Sequence, residues 1–367
     1  MARMMVQAAI PLDIRIVLLA ADANDSAAQV APDVIVGSPD DPDALAELAR
    51  RCDAITFDHE LVDPNLLAAL EAAGHRVWPS SSCMALAQDK RRQRLELEAA
   101  GFPVPAYANV DHLEDILDFG DQHGWRIVVK ASRGGYDGRG VWIVNDAAAA
   151  EAVWDGAEAS GTVLLVEERL PLDLELAVVL ARRPSGEIAV YPPVETVQRD
   201  GICHELRVPA NIGNNLGMFA MQIAKDIAGQ IGIAGIMAIE FFVSRNRLYV
   251  NELAPRPHNS GHWTIEGAVT SQFEQHLRAV LDLPLGGAEP TGEAIVTFNL
   301  LAQGAPCDPR SRLADGLAAA STHIHFYGKE ARPGRKIGHV TAVDDSIEAA
   351  EARVRAVRDA LGCAPDR

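Results

Sequence analysis

Short apolar runs alternate with helix-like spacing of apolar residues in the first part of the chain. The apolar runs begin near Ile14, Val34 and Ile55, and the helical pattern covers residues 44–50 and 64–73. Strands that alternate with helices in this way are typical of βαβ units with a parallel sheet. The pattern therefore predicts an N-terminal parallel α/β domain over residues 1–89.

From residue 125 onward, apolar runs come in pairs separated by turns that contain glycine or proline. This arrangement indicates antiparallel strands, so the middle of the chain is predicted as an α+β domain over residues 90–282. A predicted helix at 88–100, which ends at Gly101, marks the first boundary. A C-terminal domain, residues 283–367, adds further strands and a final helix.

One segment of the middle domain has the composition of a phosphate-binding loop. Lys130 ends a predicted strand, and four glycines precede the next strand: Gly134, Gly135, Gly138 and Gly140. Glycines allow backbone N–H groups to approach phosphate oxygens, and a lysine adds a positive charge. No helix follows, which excludes a P-loop or a dinucleotide fingerprint. A plain flexible hairpin is the alternative, but Tyr136, Asp137 and Arg139 within the loop favour a binding flap.

Two carboxylates flank an apparent hairpin later in the chain. Glu240 and Glu252 are symmetric about a turn predicted at residues 245–247, so they should be direct cross-strand neighbours. Like charges in that position destabilise a sheet unless something neutralises them, and Mg²⁺ is held by such pairs together with nucleotide phosphates. If the register were shifted by one residue, one glutamate would point to the other face and simply be solvated.

The densest polar string follows this hairpin, over residues 253–264. It contains Arg256, His258, Asn259, Ser260 and His262 in a turn-rich stretch that leaves an apolar strand. Loops on rigid strands are where binding groups concentrate. Arginine, histidine and asparagine beside a candidate metal site favour an anion pocket over a solvated loop.

Charge and cysteine content limit the partners of the protein. The 367 residues carry a formal net charge of -18, which argues against nucleic acid and anionic membranes as partners. The cysteines show no metal-ligand spacing and suggest reduced cytosolic thiols: Cys52, Cys83, Cys203, Cys307 and Cys363. Asp13 and Arg15 interrupt the opening apolar stretch, so neither export nor membrane insertion is expected. These features predict a cytoplasmic protein.

Four motifs resemble those of the N5-carboxyaminoimidazole ribonucleotide synthase family. They are NELAPRPHNSGHWT with the following SQFEQHLRA, KASRGGYDGRGVW, QDK at residues 88–90, and YGKEARPGRKIGH at residues 327–339. The resemblance implies an ATP-grasp fold with an N-terminal pre-ATP-grasp domain and a small C-terminal domain that contributes to the ribotide site. It also implies ATP-dependent carboxylation of 5-aminoimidazole ribonucleotide by bicarbonate, through carboxyphosphate, in purine biosynthesis. ATP, Mg²⁺ and a homodimeric state belong to the same expectation.

The resemblance also implies roles for individual residues. Glu240 and Glu252 would hold Mg²⁺. Contacts to ATP would come from Lys90, Lys130, Gly135, Tyr136, Asp137, Gly138, Arg139, Gly140, Val141, Glu167, Glu168, Arg169, Leu170, Glu175, Gln198, Asn251 and Glu252. The acceptor would be bound by Tyr136, Asp137, Arg139, Arg256, Lys329 and Arg335. The catalytic groups would be Lys130, Arg256, His258 and Asn259. His258 would either transfer a proton or only orient its loop.

The sequence departs from the family pattern at its start. Family members begin with a strand and a glycine-rich turn, whereas Met1 opens a stretch similar to the helix that follows that turn. Residues 56–60 are less acidic than in the family, and Lys90 stands where arginine is common. We therefore expect a front domain without its first strand.

Two other functions compete with this interpretation. One is a different ATP-grasp ligase, such as a formate-using glycinamide ribotide enzyme or a biotin carboxylase relative, but the HNSGHWT string argues against it. The other is a degenerate, non-catalytic nucleotide-binding subunit. That possibility predicts the loss of catalytic groups, yet Lys130, Glu240, Glu252 and Arg256 are all present.

Overall fold

The computed structural model describes residues 1–135, 139–302 and 308–363. Its front part has a small parallel sheet in which β1 (Leu18–Ala20) pairs with β2 (Val34–Val36). Four helices belong to this part: α1 (Ala2–Ala9), α2 (Pro42–Arg51), α3 (Pro64–Ala72) and α4 (Ser81–Ala87). The predicted parallel α/β front domain is confirmed, although the apolar run at Ile55 forms only an isolated parallel bridge with Val77.

The next part begins with α5 (Lys90–Ala99), which ends just before Gly101 at φ +79°. It contains a four-stranded antiparallel sheet in the order β3-β6-β4-β5. The elements are β3 (Tyr107–Val110), α6 (Leu113–Gln122), β4 (Ile127–Ala131), β5 (Val141–Val144), α7 (Ala147–Ser160) and β6 (Leu164–Glu168). The predicted antiparallel pairing of the strands on either side of the glycine loop is confirmed, since Lys130 in β4 opposes Val141 in β5.

A second sheet of nine strands extends through the rest of the described chain. Its order is β12-β11-β7-β9-β10-β13-β15-β14, with β8 paired to β7. The strands are β7 (Leu174–Arg182), β8 (Ile188–Val190), β9 (Val194–Arg199), β10 (Ile202–Val208), β11 (Gly235–Ser244), β12 (Arg247–Ala254), β13 (Ala294–Leu301), β14 (Thr322–Phe326) and β15 (Lys336–Asp344). Because β10 pairs with β13, the sheet runs across the predicted boundary at residue 283.

Helices cover this large sheet. They are α8 (Asn214–Ile231), α9 (Thr264–Gly267), α10 (Gln272–Val280), α11 (Leu313–Leu317) and α12 (Ile347–Ala360). In α8 the fully buried residues Ala220, Ala224, Ile227 and Ala228 recur at helical spacing and pack in one core with residues of β7 and β11. Among the helices of the described residues, none has the length and apolar character needed to cross a bilayer.

The front part is hydrogen-bonded to the C-terminal part. Gln29 Nε2 donates to the carbonyl of Gly328 at 3.1 Å, and the Ser26 hydroxyl donates to the carbonyl of Tyr327. Arg3 packs against the same glycine, where a Cβ would lie 2.7 Å from its Nη1. These contacts fix the segment that follows β14, which carries Lys329 and Arg335.

Candidate active site

The β11–β12 hairpin places Glu240 directly opposite Glu252, as predicted, but by a different route. The turn has two residues, Arg245 and Asn246, at φ 51° and 59°, so the predicted three-residue turn is wrong. A two-residue turn alone would pair Glu240 with Asn251. A β-bulge adds Asn251 as an extra residue and shifts the register by one.

The bulge gives this strand two consecutive side chains in the same site. Asn251 Oδ1 accepts a hydrogen bond from Lys130 Nζ at 3.2 Å, and its Nδ2 donates to Glu240 Oε2 at 3.4 Å. The next residue, Glu252, accepts from Lys90 Nζ at 2.7 Å. In a regular strand these neighbours would point to opposite faces.

The carboxylates around Glu240 are poorly neutralised. Burial raises the pKa of Glu240 to about 7, and the charges of Glu252 and Glu175 add to the effect. Burial also raises the pKa of Glu175, on β7, to about 7. Lys90 is the cation in direct contact with Glu252. Such a cluster attracts a divalent cation, which would neutralise two carboxylates at once.

A compensated ion cluster lies beside it. Glu167 binds Arg94 Nε through Oε1 and Lys130 Nζ through Oε2, both at 2.7 Å, and the side chains of Arg94 and Glu167 are 1% and 2% exposed. Burial alone would raise the pKa of Glu167, but Arg94 and then Lys130 lower it to about 2. Arg94 was not predicted from the sequence. Its position one helical turn after Lys90 was the available signal, because residues i and i+4 share a helix face.

The segment 167–170, expected at the adenine, is partly committed to the protein itself. The carboxylate of Glu167 is engaged as described, and the N–H groups of Glu168 and Arg169 donate to the carbonyls of Ala106 and Arg126 at 2.9 and 2.8 Å. A nucleotide base would therefore meet other groups of this segment.

Two further candidate residues lie on the face of the large sheet that carries Glu240. Glu175 opposes Phe242, two residues from Glu240 on β11. Gln198 lies on β9, two residues from Thr196, which opposes Glu175. Since residues i and i+2 of a strand share a face, the three side chains line one surface.

The loop after β12 brings Arg256 against the front part of the chain. Arg256 makes a bidentate ion pair with Glu60, in which Nη2 donates to Oε1 at 3.0 Å and Nε donates to Oε2. Burial alone would raise the pKa of Glu60, but the Arg256 partner holds it below its usual range. Glu60 was not predicted, and it lies in the stretch that departs from the family pattern.

His258 lies between this arginine and the acidic pair. Its Nδ1 accepts hydrogen bonds from the Ser260 N–H and hydroxyl at 3.3 and 2.9 Å, so the ring proton is assigned to Nε2, 3.6 Å from Glu240 Oε1. Burial, and then the charge of Arg256, lower its pKa to about 3. Gln272 fixes the backbone by bonding both the N–H and the C=O of His258. The ring is therefore neutral near pH 7.

Asn259 contributes a buried donor to the same loop. Among the described residues, its Nδ2 has no hydrogen-bond partner. A buried polar group without a partner costs free energy, so it is expected where a ligand completes the site. Gly261 allows the loop to pass close to Gln272, because a Cβ there would lie 2.3 Å from Oε1.

The remaining predicted residues are spread over two loops. Tyr136, Asp137 and Gly138 lie outside the described residues. Gly134 and Gly140, on either side of them, have φ of 76° and 71°, which glycine adopts without strain. Lys329 lies with Nζ 5.6 Å from the ring of Tyr327. Arg335 is exposed and donates to the carbonyl of Glu330 at 3.4 Å.

Family models match most of the chain. An ATP-grasp domain matches residues 95–273, a ribonucleotide synthetase preATP-grasp domain matches residues 1–88, and a phosphoribosylaminoimidazole carboxylase C-terminal domain matches residues 296–353. The fold and the site thus define an ATP-binding enzyme of the ATP-grasp class.

Relatives at high identity narrow this class. The N5-carboxyaminoimidazole ribonucleotide synthase of Mycobacterium tuberculosis is 44% identical over 354 residues, which cover 95% of this chain and 82% of the relative. That of Corynebacterium ammoniagenes is 41% identical, over 98% of this chain and 89% of the relative. The chain belongs to the N5-carboxyaminoimidazole ribonucleotide synthase family and is an ATP-dependent carbon–nitrogen ligase of purine biosynthesis.

Solved structures agree with this assignment. The N5-carboxyaminoimidazole ribonucleotide synthetase of Thermus thermophilus has a TM-score of 0.88 at 33% identity, over 100% of this chain and 97% of the other. The Aspergillus clavatus synthase, solved with ADP and 5-aminoimidazole ribonucleotide, has a TM-score of 0.89 at 30% identity, over 98% and 95% of the two chains. The predicted family is confirmed. The C-terminal family model argues against the formate-using and biotin carboxylase alternatives.

Proposed function

We propose that this chain carboxylates 5-aminoimidazole ribonucleotide with bicarbonate at the expense of ATP, through carboxyphosphate. The observation that carries the proposal is the opposed pair Glu240 and Glu252, which lies between two lysines on one side and His258 on the other. A place for a metal-bound phosphate chain is thus adjacent to a place for a small anion.

The acidic pair fits Mg²⁺. Both residues offer carboxylate oxygens, and burial together with the charges of Glu252 and Glu175 raises the pKa of Glu240 to about 7, so a bound cation would stabilise its ionised form. Glu240 and Glu252 would hold Mg²⁺, which would neutralise their charges and supply positive charge to the phosphates of ATP. Lys90, which contacts Glu252, would then be released toward the phosphates.

The nucleotide would extend from this pair across the face of the large sheet. Lys130, held by Glu167 and Asn251, presents a fixed positive charge to the phosphates. Gln198 and Glu175 lie on the surface where the ribose would rest, and residues 167–170 lie at the adenine end. The loop from Gly135 to Val141 would close over the phosphates and exclude water from carboxyphosphate.

The anion pocket would be formed by three donors on the loop after β12. Arg256 would stabilise the negative charge that develops on bicarbonate and on carboxyphosphate. Asn259 Nδ2 and His258 Nε2–H would donate to its oxygens. Because the pKa of His258 is about 3, this ring is a weak base, and the structure favours a donor that orients the anion over a proton acceptor.

The acceptor, 5-aminoimidazole ribonucleotide, would be bound by residues of the flap and of the loop after β14. Tyr136, Asp137 and Arg139 in the flap would contact its base and ribose, and Lys329 and Arg335 would bind its phosphate. The hydrogen bonds from Gln29 and Ser26 to residues 327 and 328 place the loop that carries these two cations.

Two finer properties belong to the same proposal. The family resemblance favours a homodimeric state, and the scattered cysteines favour a location in the cytoplasm. Sedimentation equilibrium of the purified chain tests the first, and fractionation of the source cells tests the second.

The reaction is tested by ADP release from the purified chain with ATP, Mg²⁺ and bicarbonate, with and without 5-aminoimidazole ribonucleotide. We expect a rate that depends on the ribotide. It should fall at least about 100-fold in Glu252→Gln, because Mg²⁺ would lose one of its two carboxylate ligands. Glu96→Gln, which changes an exposed carboxylate on α5, is the matched control and should keep the rate. Ribotide-independent ADP release, or an unaffected Glu252→Gln variant, would contradict the proposal.

A further inference from the structure

A second cluster of potential metal ligands lies in the C-terminal part, away from the acidic pair. It consists of Glu266 on α9, His325 on β14 and His339 on β15, whose donor atoms all lie within 4.8 Å of one another. His325 and His339 are direct cross-strand partners, and their rings are 4.6 Å apart. The ion pair of His325 Nε2 with Glu266 Oε1 measures 2.6 Å.

Two atoms of this cluster are buried without a hydrogen-bond partner in the described part of the chain. They are Nε2 of His339, a residue with 0% exposure, and Oε2 of Glu266. Nδ1 of His339 lies 2.7 Å from the hydroxyl of Tyr327. If Nδ1–H donates to that hydroxyl, Nε2 keeps a free lone pair, which is the arrangement found in metal-ligating histidines with an oriented ring.

The donor set also suits one class of ion. Two imidazoles and one carboxylate, with a water in the fourth position, are the ligands that Zn²⁺ takes in many proteins. Burial lowers the pKa of His339, so its ring is neutral and able to ligate near pH 7. The side chains of His325 and Glu266 are 25% and 13% exposed, which gives an ion access from solvent.

We propose that Glu266, His325 and His339 bind one zinc-class divalent cation, which links the edge strand β14 to α9. Ligands at roughly 2.05 Å in a tetrahedron lie about 3.3 Å apart. The separations present, from 2.6 to 4.8 Å, must therefore change by about 1.5 Å or less. The ring of His325 must turn out of the stack so that its Nε2 converges on that of His339. Its partial exposure permits this rotation.

The ion would affect the loop of the anion pocket. His262 stacks on the other face of the His339 ring, with centroids 4.7 Å apart and planes 9° apart. Fixing His339 would therefore also fix the loop that carries His258 and Asn259. The role assigned to the ion is structural, since no ligand of this cluster belongs to the acidic pair.

The test is a Co²⁺ titration of the full chain after chelator treatment, followed by visible absorption, with excess Mg²⁺ present to occupy the acidic pair. We expect one Co²⁺ per chain in a tetrahedral site, displaced by Zn²⁺. Binding should weaken at least about 10-fold in Glu266→Gln and in His325→Gln, since each loses a ligand. Zn²⁺ should raise the Tm of the unmodified chain and not that of His325→Gln.

Two controls make the outcome decisive. His323→Gln removes an exposed histidine from the same face of β14, two residues away, and should bind Co²⁺ normally. Glu252→Gln should also bind normally. Absence of tetrahedral Co²⁺, unchanged binding in His325→Gln and Glu266→Gln, or loss in Glu252→Gln would each overturn the proposal. The Tm of each metal-free variant verifies folding.

Discussion

Two glutamates within the same site are treated in opposite ways by their surroundings. Glu167 is sealed between Arg94 and Lys130 and has a pKa of about 2. Glu240 faces the further carboxylates Glu252 and Glu175 and has a pKa of about 7. The Glu167 side chain is 2% exposed and that of Glu240 is 26% exposed, so the more buried glutamate has the lower pKa, and the charged neighbours rather than burial decide the difference.

This contrast separates scaffold from binding site. A buried charge with matched partners is satisfied within the protein and holds elements together, here α5, β4 and β6. A carboxylate group with too few cations is destabilising until a ligand arrives. The fold therefore carries an energetic cost at Glu240 that Mg²⁺ and nucleotide binding would relieve.

The largest expected effect comes from breaking the compensated cluster. Arg94→Ala should lower the free energy of unfolding by about 3–5 kcal/mol, because it leaves the buried charge of Glu167 without its strongest partner. Urea denaturation measures the change. Arg92→Ala, two residues away on the same helix and exposed, should cost about 0.5 kcal/mol or less. Equal costs in the two variants would show that the cluster is not a structural unit.

Glu240→Gln should change the free energy of unfolding in the opposite direction. Removing an uncompensated carboxylate should raise the free energy of unfolding of the ligand-free chain by about 1–3 kcal/mol at pH 8. If Glu240 holds Mg²⁺ as proposed, the same variant should also lose the stabilisation that Mg²⁺ and ADP give together, because the proposed metal site would have one carboxylate fewer. Denaturation with and without Mg²⁺ and ADP measures both effects. A destabilised variant would mean that Glu240 is satisfied inside the protein.

Sequence patterns identified the acidic pair and missed the compensated cluster for a physical reason. The hairpin is a local element, so its two strands could be located from apolar runs and a turn. The bulge at Asn251 was not visible, since it depends on which backbone groups pair. The opposed pair was correct because two errors, the turn length and the missing bulge, cancelled.

Apolar runs and turn residues could not predict which residues far apart in the chain form ion pairs. Arg256 and Glu60 are 196 positions apart, and Arg94 and Glu167 are 73 apart. Their pairing depends on how three parts of the chain pack. The family resemblance located the polar loop at residues 253–264 and the basic loop that carries Lys329 and Arg335. It could not show that Arg256 is already paired with a carboxylate of the front part.

The gain from Glu240→Gln should itself depend on pH. The folded-state pKa of Glu240, about 7, lies above the ordinary value of 4.5, so its contribution to stability is present below pH 4.5 and is lost as the pH rises through 7. The difference between Glu240→Gln and the unmodified chain should therefore be small at pH 5 and reach its maximum near pH 8. Denaturation at several pH values measures it, and a flat difference would contradict the raised pKa.

Only this difference is informative, because other groups also change stability with pH: Glu175, whose pKa burial raises to about 7, acts in the same direction, and two histidines act in the opposite one. Burial lowers the pKa of His258 and of His276 to about 3, below the ordinary value of 6.5. These neutral rings reduce stability as the pH falls below 6.5, since the unfolded chain takes up protons that the folded chain does not. The variant and the unmodified chain share this effect, so it cancels in the comparison.

The smallest effect concerns Lys90, the lysine in contact with the acidic pair. Lys90 contacts Glu252 and lowers the pKa of Glu240. Lys90→Met should therefore lower the free energy of unfolding by about 0.5–1 kcal/mol at pH 8 and move the midpoint of the Glu240→Gln difference to higher pH. Lys90→Arg keeps the charge and should leave both quantities unchanged. If Lys90→Met leaves the midpoint in place, the charge of the lysine does not affect the pKa of Glu240. Burial and repulsion by the neighbouring carboxylates would then set that pKa alone.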